Sequence, residues 1–381
     1  MGDYSMIKVV TLDSPDNLNN TALEMPENYE QGIVLDIIAC GICGTDGHLI
    51  AGKMPVNYPT IPGHEFYGTV SYIGKDSHVK SLNGEIKLGD VVTVLPGKSC
   101  GNCQYCTRLN EQEELCINRK TYGLSFSVND NPVLGGGYAE KAFITNGFCV
   151  YHIPTSWPLG YGAILETVAV GVHAAERVCE VATSLNDRNL TATIIGGGAV
   201  GFSVAQALIN RGVTVSVIDH HEHRRKLAMS TGAAWTFSEA EKTEEWESVF
   251  IERSGGLKPD IVVEAGGTIE AFSRALELVR KGGVVLELGN FANIGVVPIS
   301  PSLICRNEIT VLGSVLAPEK AYPEAEKILN SLIPFSDEII SPVFSLVDVS
   351  EAIENLRGAK KGLKAILIPR VKGEKDENGK Y

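Results

Sequence analysis

The stretch from Thr191 to Asp219 constrains the fold of this chain more than any other. Thr191-Ala-Thr-Ile-Ile195 is a run suited to a buried strand, and it leads directly into Gly196-Gly-Gly-Ala-Val-Gly201. Helix-favouring residues follow from Phe202 to Asn210, then Gly212, then a second strand run, Val213–Ile218, that ends in Asp219. Gly196, Gly198 and Gly201, with Ala199 and Val200 between the last two, therefore form Gly-x-Gly-x-x-Gly in the order strand, turn, helix, strand, acid. Such a turn lets the backbone approach a pyrophosphate at a helix N-terminus, and the acid accepts hydrogen bonds from a ribose. The expected ligand is a dinucleotide. Asp219 favours NAD by repelling a 2′-phosphate, whereas Arg224 and Arg225, beside His220, would admit NADP if they swung over the ribose.

Alternating strand and helix signals continue through Ala234–Phe237, Asp260–Ala265, Gly283–Leu288 and Glu308–Ser314, with a helical pattern at Ile269–Arg280. With the first two runs this makes six strands, the number of a doubly wound parallel sheet that binds a whole dinucleotide. The region before it differs. Gly32–Ile38, Tyr67–Gly74 and Gly89–Leu95 are short, β-branched and set between turn residues, so residues 1–165 read as mainly β. After Ser314 come a helical stretch at Pro323–Leu332, a strand run at Pro342–Leu346, a helix-like Ser350–Leu356 and a strand run at Lys364–Pro369. These are too few for a further domain, so they are expected to rejoin the first one. The polar tail Lys372–Tyr381 reads as a fraying end.

Two groups of residues in the first region carry metal chemistry. Cys43, His64 and Glu65 offer a thiolate, an imidazole and a carboxylate, the mixed set that zinc accepts in a tetrahedral site with an open position. Cys100, Cys103 and Cys106 stand at intervals of three, and Cys116 follows after nine intervening residues. Four thiolates at that spacing wrap one tetrahedral zinc and leave no position for a substrate, so this site is structural; an iron–sulfur cluster or redox pair is the rival use. Nine cysteines is an odd number in a chain of 381 residues, which needs no disulfide staples. A net charge of −13 argues against a nucleic-acid or anionic-membrane surface. Met1–Val10 lacks the pattern of a leader, and no apolar run approaches the ~18 residues of a membrane span, so a cytoplasmic location is expected by default.

Cys43-Gly-Thr-Asp-Gly-His48, Gly63-His-Glu65, the Cys100–Cys116 lobe, Leu165-Glu166 with Gly171 and His173 beyond, and the turn at 196–201 come in the order of the zinc-dependent medium-chain alcohol dehydrogenases, which the chain resembles over nearly its whole length. The resemblance implies a GroES-like catalytic domain at 1–165 and 316–381 with a structural zinc lobe near 96–120, and a Rossmann domain at 166–315. It further implies a catalytic and a structural zinc in each subunit, a nicotinamide cofactor, and a homodimer or homotetramer. Glu166 joins Cys43, His64 and Glu65 as a candidate ligand of the catalytic zinc, and whether Glu65 or Glu166 binds directly stays open. With Glu166 where the liver-type branch has cysteine, the chain is similar to the polyol, sugar and threonine branch; a longer last interval in the cysteine lobe and Thr167 in place of a common proline depart from it. Thr45 matches the family's relay hydroxyl and His48 its solvent-side imidazole. The implied reaction is hydride transfer between the secondary alcohol of a polyol, sugar or cyclitol and NAD(P) through a zinc-bound alkoxide. Threonine or another small alcohol is the runner-up substrate. A relative that binds nucleotide without catalysis is the reading from a different class.

Overall fold

The computed structural model describes residues 6–25, 29–108, 112–130, 134–184, 189–238, 243–290, 292, 295–358 and 362–369, so the tail at 372–381 lies outside the described residues. The chain divides into two compact units, residues 1–166 with 339–381, and residues 167–338.

The first unit is built on an eight-stranded sheet. Its central strand, β1 (Gly32–Gly41), pairs antiparallel with β2 (Glu65–Ile73), and the short helix α1 (Gly44–Ile50) lies between them in sequence. The apolar run Ile33-Val-Leu35 is buried, as the sequence leads one to expect, and packs with Phe66, Tyr122, Phe143 and Phe148 into one core. The passage to the second unit falls inside a long helix, α2 (Tyr161–Ser184).

The second unit holds a parallel six-stranded sheet made of β3 (Thr191–Ile195), β4 (Thr214–Ile218), β5 (Trp235–Phe237), β6 (Ile261–Glu264), β7 (Val284–Glu287) and β8 (Thr310–Gly313). Their order across the sheet is β5-β4-β3-β6-β7-β8, which is the doubly wound order with its reversal beside β3. Helix α3 (Ala199–Asn210) follows β3, and α4 (Ile269–Leu278) follows β6. Phe237, Trp246, Phe250, Val262, Leu276 and Val285 form the core on one side.

Residues 316–338, expected in the first domain, lie in the second unit. There α5 (Tyr322–Ser331) buries Tyr322, Ala325, Ile328 and Leu329, and its Glu324 accepts from both terminal nitrogens of Arg211 at the end of α3, at 2.7 and 2.9 Å. The chain then supplies β9 (Ile340–Ser345) and β10 (Lys364–Ile368) to the first unit, where β10 pairs with β1. Among the described residues no helix is long and apolar enough to cross a membrane.

A tight packing constraint lies at the β3–α3 junction, where a Cβ on Gly201 would run into the carbonyl oxygen of Gly196. Both atoms belong to backbone that cannot swing away. Gly201→Ala is therefore expected to cost about 1–3 kcal/mol, as overpacking does, read as a lowered denaturant midpoint.

Candidate functional site

In the first unit the ligand-bearing side chains are fixed by backbone geometry. Cys43 caps α1: its N–H donates to Asp46 Oδ2 at 2.9 Å, from the third position of the helix. Asp46 is fully buried, and the same oxygen accepts from the Tyr138 hydroxyl at 3.0 Å. Its other oxygen stands 3.6 Å from His64 Nδ1, which leaves the opposite ring nitrogen for a metal. His64 arrives through Gly63, whose φ of +86° suits glycine, and whose missing side chain leaves room for the Tyr138 ring and the Cys40 sulfur. Glu65 opens β2 opposite Gly41 of β1, and only the absence of a Cβ there makes space for its carboxylate.

One residue of this centre escaped the sequence reading. Lys364, at the head of β10, donates to Glu65 Oε1 at 2.8 Å and to Oε2 at 2.7 Å, and the two side chains are 3% and 1% exposed. The sequence signal was faint: a lysine heading an apolar strand, where a buried lysine requires a partner. Burial alone would lower the Lys364 pKa, but Glu65 and Cys43 raise it. Burial likewise opposes charge on His64, yet Asp46 and Cys43 push its pKa well above the usual range.

Cys43, His64 and Glu65 each bring one ligand atom into a group that spans no more than 4.8 Å. Sulfur, imidazole and carboxylate together fit zinc, and a carboxylate that spends part of its acceptor capacity on one ammonium keeps lone pairs for a metal. Glu166, on α2, stands outside that group of three but beside it. Burial, and then the charge of Glu65, push its carboxyl up to about 7. Thr45 Oγ1 lies 3.6 Å from Cys43 Sγ. His48, three residues further along α1, is partly exposed, and burial and then Lys53 lower its pKa.

The second group, Cys100, Cys103, Cys106 and Cys116, also gathers within 4.8 Å. Cys103 Sγ is 3.5 Å from Cys106 Sγ and 3.9 Å from Cys116 Sγ. A tetrahedron with metal–sulfur bonds of about 2.3 Å has edges of about 3.8 Å, so four sulfurs at this spacing fit one zinc. All nine cysteines are free thiols. The backbone N–H of Asn102 is the main cause that brings Cys100 down to about 6, towards the ligating thiolate.

In the second unit, Gly198 caps α3, and Ala199 and Val200 open its first turn. Gly196 has φ +93° and packs on Gly266, which a Cβ would approach to 2.7 Å. Asp219, 3% exposed, reaches back from the end of β4: its Oδ2 accepts from the Gly197 N–H at 2.8 Å and lies 3.5 Å from Arg224 Nη1. Its Oδ1 accepts from the His221 N–H at 2.6 Å. The structure thus brings Gly196, Gly198, Gly201, Asp219 and Arg224 to one edge of the sheet, and adds His221, whose ring Nδ1 lies 3.1 Å from Asp219 Oδ1.

Residues 30–155 match the alcohol dehydrogenase GroES-like domain, and residues 199–331 match the zinc-binding dehydrogenase family. The chain is 30% identical over 335 residues to 5-exo-hydroxycamphor dehydrogenase of Pseudomonas putida, across 85% of this chain and 88% of that one. It is 27% identical over 369 residues to sorbitol dehydrogenase of Bacillus subtilis strain 168, across 95% and 97%. Its fold is similar to the crystal structure of an alcohol dehydrogenase from Thermotoga maritima, with a TM-score of 0.88 and 25% identity over 96% of this chain and 100% of that one.

The Lys364–Glu65 pair gives this site a test of its own. Lys364→Met leaves Glu65 buried without its cation, which costs about 3–5 kcal/mol when one partner of a buried pair is removed. The loss should be largest after chelation and smaller with zinc restored, since the metal supplies a replacement charge. Urea unfolding of both forms measures it.

Proposed function

Because the chain belongs to the zinc-dependent medium-chain alcohol dehydrogenases, oxidoreductases that use zinc and a nicotinamide dinucleotide, and within them to the polyol branch, we propose that it oxidises the secondary alcohol of a polyol, sugar or cyclitol and prefers NAD. The observation that carries the substrate class is the pair of carboxyls, Glu65 and Glu166, buried beside Cys43 and His64. Glu65 already meets Lys364, so it is Glu166 to which hydroxyl groups flanking the reacting carbon can donate, whereas an apolar alcohol leaves that carboxyl dehydrated. That costs about 1–3 kcal/mol per group, or roughly tenfold or more in selectivity.

When bound, zinc supplies a Lewis acid to the alcohol oxygen and the nicotinamide ring accepts the hydride. Cys43, His64 and Glu65 would hold the metal, with Asp46 orienting His64 and Lys364 orienting Glu65. Glu166, with its carboxyl near neutrality in proton affinity, accepts or donates a hydrogen bond at the substrate as its protonation changes. Thr45 takes the alcohol proton through its hydroxyl and His48 passes it towards water, a role that its partial exposure and lowered pKa support. The four lobe thiolates would hold a second zinc, which would contribute to folding and not to turnover. Asp219 takes the adenosine ribose, and its pinning by Gly197 and His221 supports NAD over NADP.

Cys43→Ser is expected to abolish turnover in a folded chain and Cys103→Ser mainly to lower the melting temperature, each with the loss of one zinc by metal analysis. A protein fully active with a single zinc contradicts that division of labour. NAD should exceed NADP in catalytic efficiency, with the gap narrowed by Asp219→Ala; equal efficiencies in the unmutated protein overturn the preference. Sorbitol, myo-inositol, glucose and threonine, compared with ethanol and benzyl alcohol, test the substrate class. Higher kcat/KM on both simple alcohols than on every polar one refutes it, and threonine as the best substrate moves the assignment to a hydroxy amino acid.

A further inference from the structure

A second acidic group lies at the carboxyl ends of β6 and β7, where Glu264 is buried and Glu287 half-buried. Glu264 closes β6 and Glu287 closes β7, and the parallel register sets them directly opposite one another. Glu264 is fully buried, and its Oε1 accepts from the Gly266 and Gly267 N–H groups at 2.7 and 2.8 Å. Asn290 joins the two acids: its Nδ2 donates to Glu264 Oε2 at 3.2 Å and to Glu287 Oε1 at 2.8 Å, and its N–H donates to Glu287 Oε1 at 3.0 Å. Every one of these donors is neutral. Burial, and then the charge of Glu287, push Glu264 up to about 7, so near neutrality the pair holds a proton part of the time and still carries net negative charge. Glu287 Oε2 and Asn290 Oδ1 are buried atoms with no hydrogen-bond partner among the described residues.

The sheet order gives this charge a place relative to the cofactor. Asp219 at the end of β4 and the glycine turn at the end of β3 take the adenosine and the pyrophosphate. The neighbours on the other side of β3 are β6 and then β7, with strands about 4.8 Å apart, so their carboxyl ends fall to the nicotinamide half. The Gly266–Gly267 turn that Glu264 holds is the one against which Gly196 packs.

We propose that Glu264 and Glu287, joined by Asn290, determine the relative affinity for the two redox states of the cofactor, favouring the oxidised one. The oxidised ring carries a positive charge and the reduced ring none, so a buried negative charge nearby attracts the first and is indifferent to the second. Glu287 Oε2 and Asn290 Oδ1 also offer acceptors to the hydroxyl or amide donors of that half. The inference rests on the reading that this unit binds NAD, and the experiment separates the two.

Dissociation constants for NAD⁺, NADH and ADP-ribose are measured by calorimetry at pH 9, above the range in which Glu264 holds a proton, on the zinc-loaded protein and on Glu287→Gln, which keeps the shape and removes one charge. A unit charge within about 10 Å at an effective dielectric near 20 changes binding by about tenfold. Glu287→Gln should therefore weaken NAD⁺ relative to NADH by about tenfold and leave ADP-ribose, which lacks the ring, unchanged. Equal changes in NAD⁺, NADH and ADP-ribose mean that the pair only supports the turn, and overturn the proposal; so does an unaltered ratio. An unmutated protein that binds none of the three ligands sinks the cofactor reading itself. Glu264→Gln removes charge from the other half of the pair and serves if the first variant does not fold, and loss of fold in both assigns the pair to packing and overturns the proposal.

Discussion

The ammonium of Lys364, held against both oxygens of Glu65 in a place closed to water, is the interaction on which the metal centre depends. Two bare charges at that depth would each cost several kcal/mol in lost hydration, so neither residue can sit there without the other or a metal. Their meeting requires β10 beside β1, β1 beside β2, and a glycine at position 41 where any side chain would displace the carboxylate. Asp46 works from the other side, holding the Cys43 N–H and facing His64, and is itself held by Tyr138. The three candidate ligand side chains are thereby organised by partners that belong to the protein.

The second unit uses buried carboxylates in the same way, as clamps on backbone. Asp219 holds Gly197 in the turn before α3, and Glu264 holds Gly266 and Gly267 in the turn after β6. Each acid ends a strand and accepts N–H groups that a tight turn leaves without helix or sheet partners. The rigidity of the cofactor edge is therefore carried by side chains whose charge is also available to a ligand, and structure and recognition cannot be varied independently there.

What was legible in the sequence is what lies close together along it. The lobe cysteines fall within residues 100–116, and the strand, turn, helix, strand and acid pattern within 191–219, so spacing alone exposes their geometry. Cys43, His64 and Glu65 are drawn together by one strand crossing, and their residue types mark them. Lys364 and Glu287 were missed because register between strands decides what they face, and Tyr138 because it meets Asp46 across 92 positions of chain; neither leaves a local trace. The helical pattern at 323–332 was seen, but which unit it joins depends on what its apolar face packs against, and periodicity does not encode that.

The partners Glu65 and Lys364 are separated by 299 positions along the chain. During synthesis the ligand loop, the cysteine lobe and the six-stranded sheet are all made before the lysine that completes the metal centre. Until β10 arrives, Glu65 has no Lys364 ammonium to meet it, and a metal ion is a cation that could take that place. Early zinc would thus act as a stand-in for a strand not yet made, and formation of the mature centre is tied to the slowest class of contact, one that closes over most of the protein's length.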